Sequence, residues 1–286
     1  MATPVPLKWG WLGALLALGW GALLRGPAGH LPAAQPTPQC PAAGTVASLQ
    51  VPTAYLPGGE IRGLLYLPPC YRPDAQPGYP LLVLIHGQTF TPQQWLELGL
   101  VQWADAHIRQ GRVQPFLVLM PYDPPPFLNP PENGFDEALM EDLLPWVQAH
   151  YPVRPERGYW AIGGISRGAA WAIRLGLTHW QRFGAIGGHS PPVFWSDGLL
   201  VRGWLQAIPE GQWPRIYLDI GDADREEILR SATEFEQTLT DLGVPHQWHF
   251  NVGRHDQAYW AAHLDQYLTW YTAPWAASTP SQEPPP

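Results

Sequence analysis

Lysine is almost missing from this chain: Lys8 is the only one in 286 residues, and all cationic side chains number 16 against 24 acidic ones, for a net charge of −8. No basic stripe is available to neutralise phosphates, so nucleic acid is excluded as a partner. Cysteine is scarce too, with only Cys40 and Cys70. Metal-ligand spacing is also lacking. His246 and His249 lie three apart in a strand-like stretch and point to opposite faces, and no carboxylate completes a site, so no metal or cofactor is expected. Internal repeats and a mid-chain linker are absent as well. A 45% hydrophobic content therefore reads as one domain with one large core.

What is present begins with an address. Lys8 precedes an unbroken apolar stretch from Trp9 to Leu24, closed by Arg25 and followed by small residues. Residues 1–34 are expected to be a cleaved signal peptide or an uncleaved N-terminal membrane anchor. Either form places the folded part outside the cytoplasm, secreted or held at a membrane. Cys40 and Cys70, with no third cysteine to compete, are expected to pair in that setting. The bridge would close a loop of about 30 residues, worth roughly 3–4 kcal/mol on the chain-entropy account. The last residues, 276–286, are polar and proline-rich and are expected to be disordered. The domain itself is assigned to residues 40–275.

Within that domain, strand and helix signals alternate. Thr45–Val51 and Ile61–Leu67 read as an antiparallel pair joined through "PGGE". "PLLVLIHG" and "PFLVLMPY" are continuous apolar runs, as expected for strands buried on both faces. Further strands are expected at Gly158–Gly164, Phe183–Gly188, Arg215–Gly221 and His246–Gly253. Helical stretches separate them, the first being "TPQQWLELGLVQWADAHIRQG", read as one helix with a Thr91 cap and proline at its first position. The pattern implies an α/β fold of about eight strands, mostly parallel, with helices on both faces. Sites in such folds form at the carboxyl ends of strands.

One segment stands out by that criterion. "YWAIGGISRGAAW" ends a strand, carries Gly164-Ile165-Ser166-Arg167-Gly168, and starts a helix. A serine on so tight a turn needs small neighbours, and the helix N-terminus behind it favours developing negative charge. A serine hydroxyl is a poor nucleophile without a base. Of the late histidines, His246 and His249 fall in the last strand and His263 in a helix, whereas His255 sits in the loop just past that strand. The orienting acid comes from "YLDIGDADREE": Asp224, before a helix, is the first choice, Asp222 the second, and Asp219 is still in strand register. Backbone N–H groups of Arg167 and of Gln88, with Thr89 as its alternative, are expected to face an oxyanion. His86 ends a buried strand and reads as a brace for that loop. Tyr122, Phe127 and Trp195 are candidates to line an aromatic substrate pocket.

These segments, together with "YLPPCY" and "GRHDQAYWAAHL", resemble the α/β-hydrolase superfamily. The resemblance is to the esterase family that includes esterase D, feruloyl esterases, enterochelin esterases and mycolyltransferases, and it runs over most of Gly59–Tyr271. It implies a Ser166–Asp224–His255 triad and ester hydrolysis through an acyl-serine. "HGQTFTPQQW" lacks the multiple glycines of some relatives, and the proline-rich "PYDPPPFLNPPENGF" has no transferable counterpart. Fold likeness therefore says little about substrate. The expected substrate is a small-molecule or carbohydrate-linked ester, with an aryl group favoured by the aromatic candidates. An acyltransferase or a non-catalytic binding protein of the same fold are the alternatives, and oligomeric state is not encoded legibly.

Overall fold

A computed structural model describes residues 43–130 and 132–275. Residues 1–34, the 276–286 tail and Cys40 lie outside that range, so the leader, the tail and the Cys40–Cys70 pairing are not described. Eight strands form one sheet in the order β1-β2-β4-β3-β5-β6-β7-β8. They are β1 (Thr45–Pro52), β2 (Glu60–Leu67), β3 (Leu81–Ile85), β4 (Leu117–Pro121), β5 (Trp160–Ile165), β6 (Ala185–His189), β7 (Arg215–Ala223) and β8 (Gln247–Arg254). β2 pairs antiparallel with both β1 and β4, and every pairing from β4 to β8 is parallel. This is the mixed α/β sheet with an antiparallel N-terminal pair that the sequence implies.

The continuous apolar runs follow from burial on both faces. Leu81, Val83 and Ile85 of β3 pack into one core cluster, and Leu82 and Leu84 into the other, as period-two alternation requires. The first cluster is covered by α3 (Phe135–Glu137), a π-helical segment (Ala138–Leu143), α4 (Leu144–His150), α5 (Arg167–Thr178), α6 (Val201–Ala207) and α7 (Glu226–Asp241). The second is covered by α1 (Gln93–Glu97), α2 (Leu100–Arg109) and α8 (Gln257–Thr272), where Trp95, Trp260, Tyr267 and Tyr271 are buried.

The long helix expected from Thr91 is in fact two. Gly99 adopts φ 99° between α1 and α2, a left-handed conformation that an α-helix does not accommodate. Thr91 does not cap it, because Pro92 occupies the N-cap position and the Thr91 hydroxyl donates to Gln93 Oε1 at 2.6 Å. α6 was not anticipated; its seven residues are too few to show helical periodicity.

Candidate active site

Ser166 follows directly on β5 and adopts φ 53°, ψ −120°, a strained conformation for a residue with a side chain. Its N–H donates to His189 O at 2.9 Å, which ties the turn to the adjacent strand β6. The two motif glycines are required by close approach. A Cβ on Gly164 would lie 2.2 Å from the Gly168 carbonyl carbon, and one on Gly168 would lie 2.2 Å from Ile85 O. Ser166 occupies the N-cap position of α5, yet its hydroxyl makes no capping bond. The hydroxyl lies instead 2.9 Å from His255 Nε2.

His255 is held by the loop between β8 and α8. Asp256 caps α8 by accepting from Tyr259 N at 2.9 Å, and the Trp260 ring meets the His255 imidazole edge-on at 5.0 Å. The other imidazole nitrogen, Nδ1, donates to Asp224 Oδ1 at 2.8 Å. That oxygen also accepts from Arg225 N at 2.7 Å, fixing the carboxylate just past the end of β7. Asp222, the alternative acid, is engaged elsewhere: its Oδ1 accepts from Gly253 N at 3.0 Å. Asp219 pairs with a different histidine, His189, at 2.7 Å in the core. Three carboxyl strand ends thus bring Ser166, His255 and Asp224 into one hydrogen-bonded chain.

A cavity of about 920 Å³ opens over this chain. Gln88, Thr89 and Arg167 line it, and among the described residues the backbone N–H groups of all three have no acceptor. Its aromatic walls are Phe90, Phe194, Trp195 and Trp260, with Trp195 93% exposed at the rim. Tyr122 and Phe127 do not line it. Tyr122 stacks on His86 at 5.5 Å, and Phe127 faces the Arg167 guanidinium at 5.5 Å.

The β3 loop is braced from two sides. His86 Nδ1 donates to Gly87 O at 2.8 Å, while Nε2 accepts from Asp123 N at 3.1 Å, an arrangement that requires the neutral ring. Burial lowers the His86 pKa in the same sense. Gly87 N donates to Gln94 Oε1 at 2.8 Å, and Gln94 Nε2 reaches Gln257 Oε1 at 2.9 Å, linking this loop to the start of α8 beside His255. Asp123, Gln94 and Gln257 escaped the sequence reading. Only for Asp123 was a signal present, an acid directly past the carboxyl end of β4 in "LMPYD".

Comparisons with known proteins agree with this architecture. An esterase of Mycobacterium tuberculosis is 25% identical over 240 residues, covering 66% of this chain and 51% of that protein. The iron(III) salmochelin esterase of Escherichia coli is 28% identical over 221 residues, covering 68% of this chain and 51% of its own. The chain therefore spans about half the length of these curated relatives. Among solved structures, a ferulic acid esterase superposes with a TM-score of 0.71 at 22% identity, covering 82% of this chain and 99% of its own. The family model described as "Putative esterase" matches residues 54–271, most of the chain, and the protein belongs to that esterase family of α/β-hydrolase fold.

Proposed function

We propose that the protein hydrolyses carboxylic esters through an acyl-Ser166 intermediate. The observation that carries this reading is the chain Ser166 Oγ–His255 Nε2 at 2.9 Å and His255 Nδ1–Asp224 Oδ1 at 2.8 Å beneath an open cavity. His255 takes the hydroxyl proton as Oγ attacks the ester carbonyl, and Asp224 keeps Nδ1 protonated so that Nε2 is the basic nitrogen. The N–H groups of Arg167 and Gln88 receive the oxyanion, aided by the N-terminus of the 12-residue α5. Collapse of the tetrahedral intermediate expels the alcohol, which takes the proton from His255. Water, deprotonated by the same nitrogen, then attacks the acyl-serine and releases the acid.

The aromatic walls of the cavity favour an aryl acyl or aryl alcohol group, and the likeness to a ferulic acid esterase points the same way. The apolar stretch after Lys8 supports an extracytoplasmic location, secreted or anchored. A fluorophosphonate probe should label the protein covalently, and Ser166→Ala should abolish both labelling and ester turnover. Labelling that survives the substitution would refute the mechanism. A screen of acetyl, butyryl, feruloyl and longer acyl esters then ranks the acyl groups, with feruloyl expected to exceed acetyl.

A further inference from the structure

Asp123 touches neither Ser166 nor His255, yet contacts from both proposed oxyanion loops converge on it. Arg167 donates its Nε–H to Asp123 Oδ2 at 2.6 Å, and its Nη2 donates to Leu128 O at 2.6 Å. Trp171, one turn further along α5, donates its indole N–H to the same carboxylate oxygen at 2.8 Å. From the other side, the Asp123 N–H donates to His86 Nε2, and His86 Nδ1 donates to Gly87 O, one residue before Gln88. A continuous path therefore runs from the side chain of Arg167 through Asp123 and His86 to the β3 loop, without passing through substrate.

The charges on this path are buried, Asp123 being 1% and Arg167 7% exposed. A buried ion pair recovers little net stability against its desolvation cost, so stability alone is a weak reason for placing one here. Geometry supplies a better reason. Two N–H groups serve an oxyanion only if both aim at one point, and they are carried by separate loops after β3 and β5, neighbouring strands of the sheet. Arg167 has its backbone at one of these loops, and its side chain reaches the brace of the other. The same guanidinium holds the proline-rich segment through Leu128 O, next to Asn129 in the cavity wall.

We propose that Asp123, with the Arg167 side chain, is a positioning residue that keeps the Arg167 and Gln88 N–H groups convergent on the oxyanion. The proposal rests on the acyl-serine reading above. Asp123→Asn keeps the shape and removes the charge. For a p-nitrophenyl ester its kcat should fall roughly 10–100-fold, with KM moving by less than about twofold. Affinity for an aryl trifluoromethyl ketone, whose serine adduct carries an oxyanion, should fall by the same factor as kcat. A merely structural role would lower the melting temperature and the active fraction but leave ketone affinity per active site unchanged. Arg167→Lys, which keeps the charge but loses the forked reach to Asp123 and Leu128, should shift both quantities in the same direction and gives the answer should Asp123→Asn fail to fold. Wild-type kcat and ketone affinity in either folded variant overturn the proposal. Ester turnover surviving in Ser166→Ala would sink the acyl-serine reading beneath it; an inert Ser166→Ala beside an unimpaired Asp123→Asn sinks the positioning role alone.

Discussion

Two aspartate–histidine pairs lie five residues apart along β7 and its following loop, and they end in opposite circumstances. Asp224 and His255 meet at 2.8 Å, and the far nitrogen of the imidazole faces the Ser166 hydroxyl under a cavity. Asp219 and His189 meet at 2.7 Å with both side chains fully buried, and the far nitrogen faces the Tyr271 hydroxyl at 3.1 Å. The second oxygen of Asp219 accepts from Tyr259 and Tyr267, each at 2.7 Å. Burial, and then the Asp219 charge, push the Tyr267 hydroxyl pKa far up and keep it a donor. The Asp–His unit alone therefore does not distinguish the proposed site. What differs is access, and the group at the far nitrogen: an alcohol in a strained turn in one case, a phenol sealed among aromatic rings in the other. The sealed pair instead knits β6, β7 and α8 together, and α8 begins two residues after His255.

Removing one member from each pair should separate these roles most sharply. His255→Ala or Asp224→Asn is expected to lower kcat for a p-nitrophenyl ester roughly 10⁴-fold or more, with little change in melting temperature. Asp219→Ala should do the reverse. It leaves three buried donors without an acceptor and should cost about 3–5 kcal/mol of stability, a fall in melting temperature on the order of 10 °C. Turnover per folded molecule at low temperature should stay within about tenfold of wild type. A folded Asp219→Ala protein as inactive as His255→Ala would erase the distinction. Tyr271→Phe probes the sealed pair more gently: loss of one hydroxyl opposite His189 should cost about 1 kcal/mol, or roughly 2–4 °C, measured by thermal unfolding.

The contrast also explains what the sequence could and could not convey. The inner strands β3 to β6 were legible because strands buried on both faces carry unbroken apolar runs, and Gly164 and Gly168 were legible because the tight turn leaves no room for Cβ atoms. The glycine-flanked turn singled out Ser166, and positions just past strand ends made His255 and Asp224 the first choices; the structure brings these three together. Asp219 and Asp224 are chemically identical in the string "LDIGDAD", and only register and burial separate their partners. Tyr122 and Phe127 were expected in the cavity, but the path of the proline-rich segment is set by a distant anchor, Arg167 on Leu128 O, that no local pattern announces. The break at Gly99 and the walls Phe90, Phe194 and Trp260 are likewise products of tertiary packing.

A third pairing, this time of two acids, makes the stability of the fold depend on pH. The neighbouring Asp136 carboxylate, reinforced by burial, favours the protonated form of Glu137 and pushes its pKa up to about 7. Burial opposes ionisation of Asp136 itself, but the Glu137 carboxyl and the Arg174 guanidinium hold its pKa below the ordinary value. Arg174 in turn bridges Asp136 at 3.1 Å and Asp197 at 2.7 Å, joining helix α5 to the segment that carries Trp195. Because the folded-state pKa of Glu137 lies above the ordinary value of 4.5, its contribution to stability is complete below pH 4.5 and is lost as pH rises through about 7. Glu137→Gln keeps a donor toward Asp136 at every pH. Its melting temperature should match wild type near pH 4.5 and exceed it by about 1–2 °C near pH 8, flattening the profile between. An unchanged slope would mean that the acid pair does not govern the pH dependence of this region.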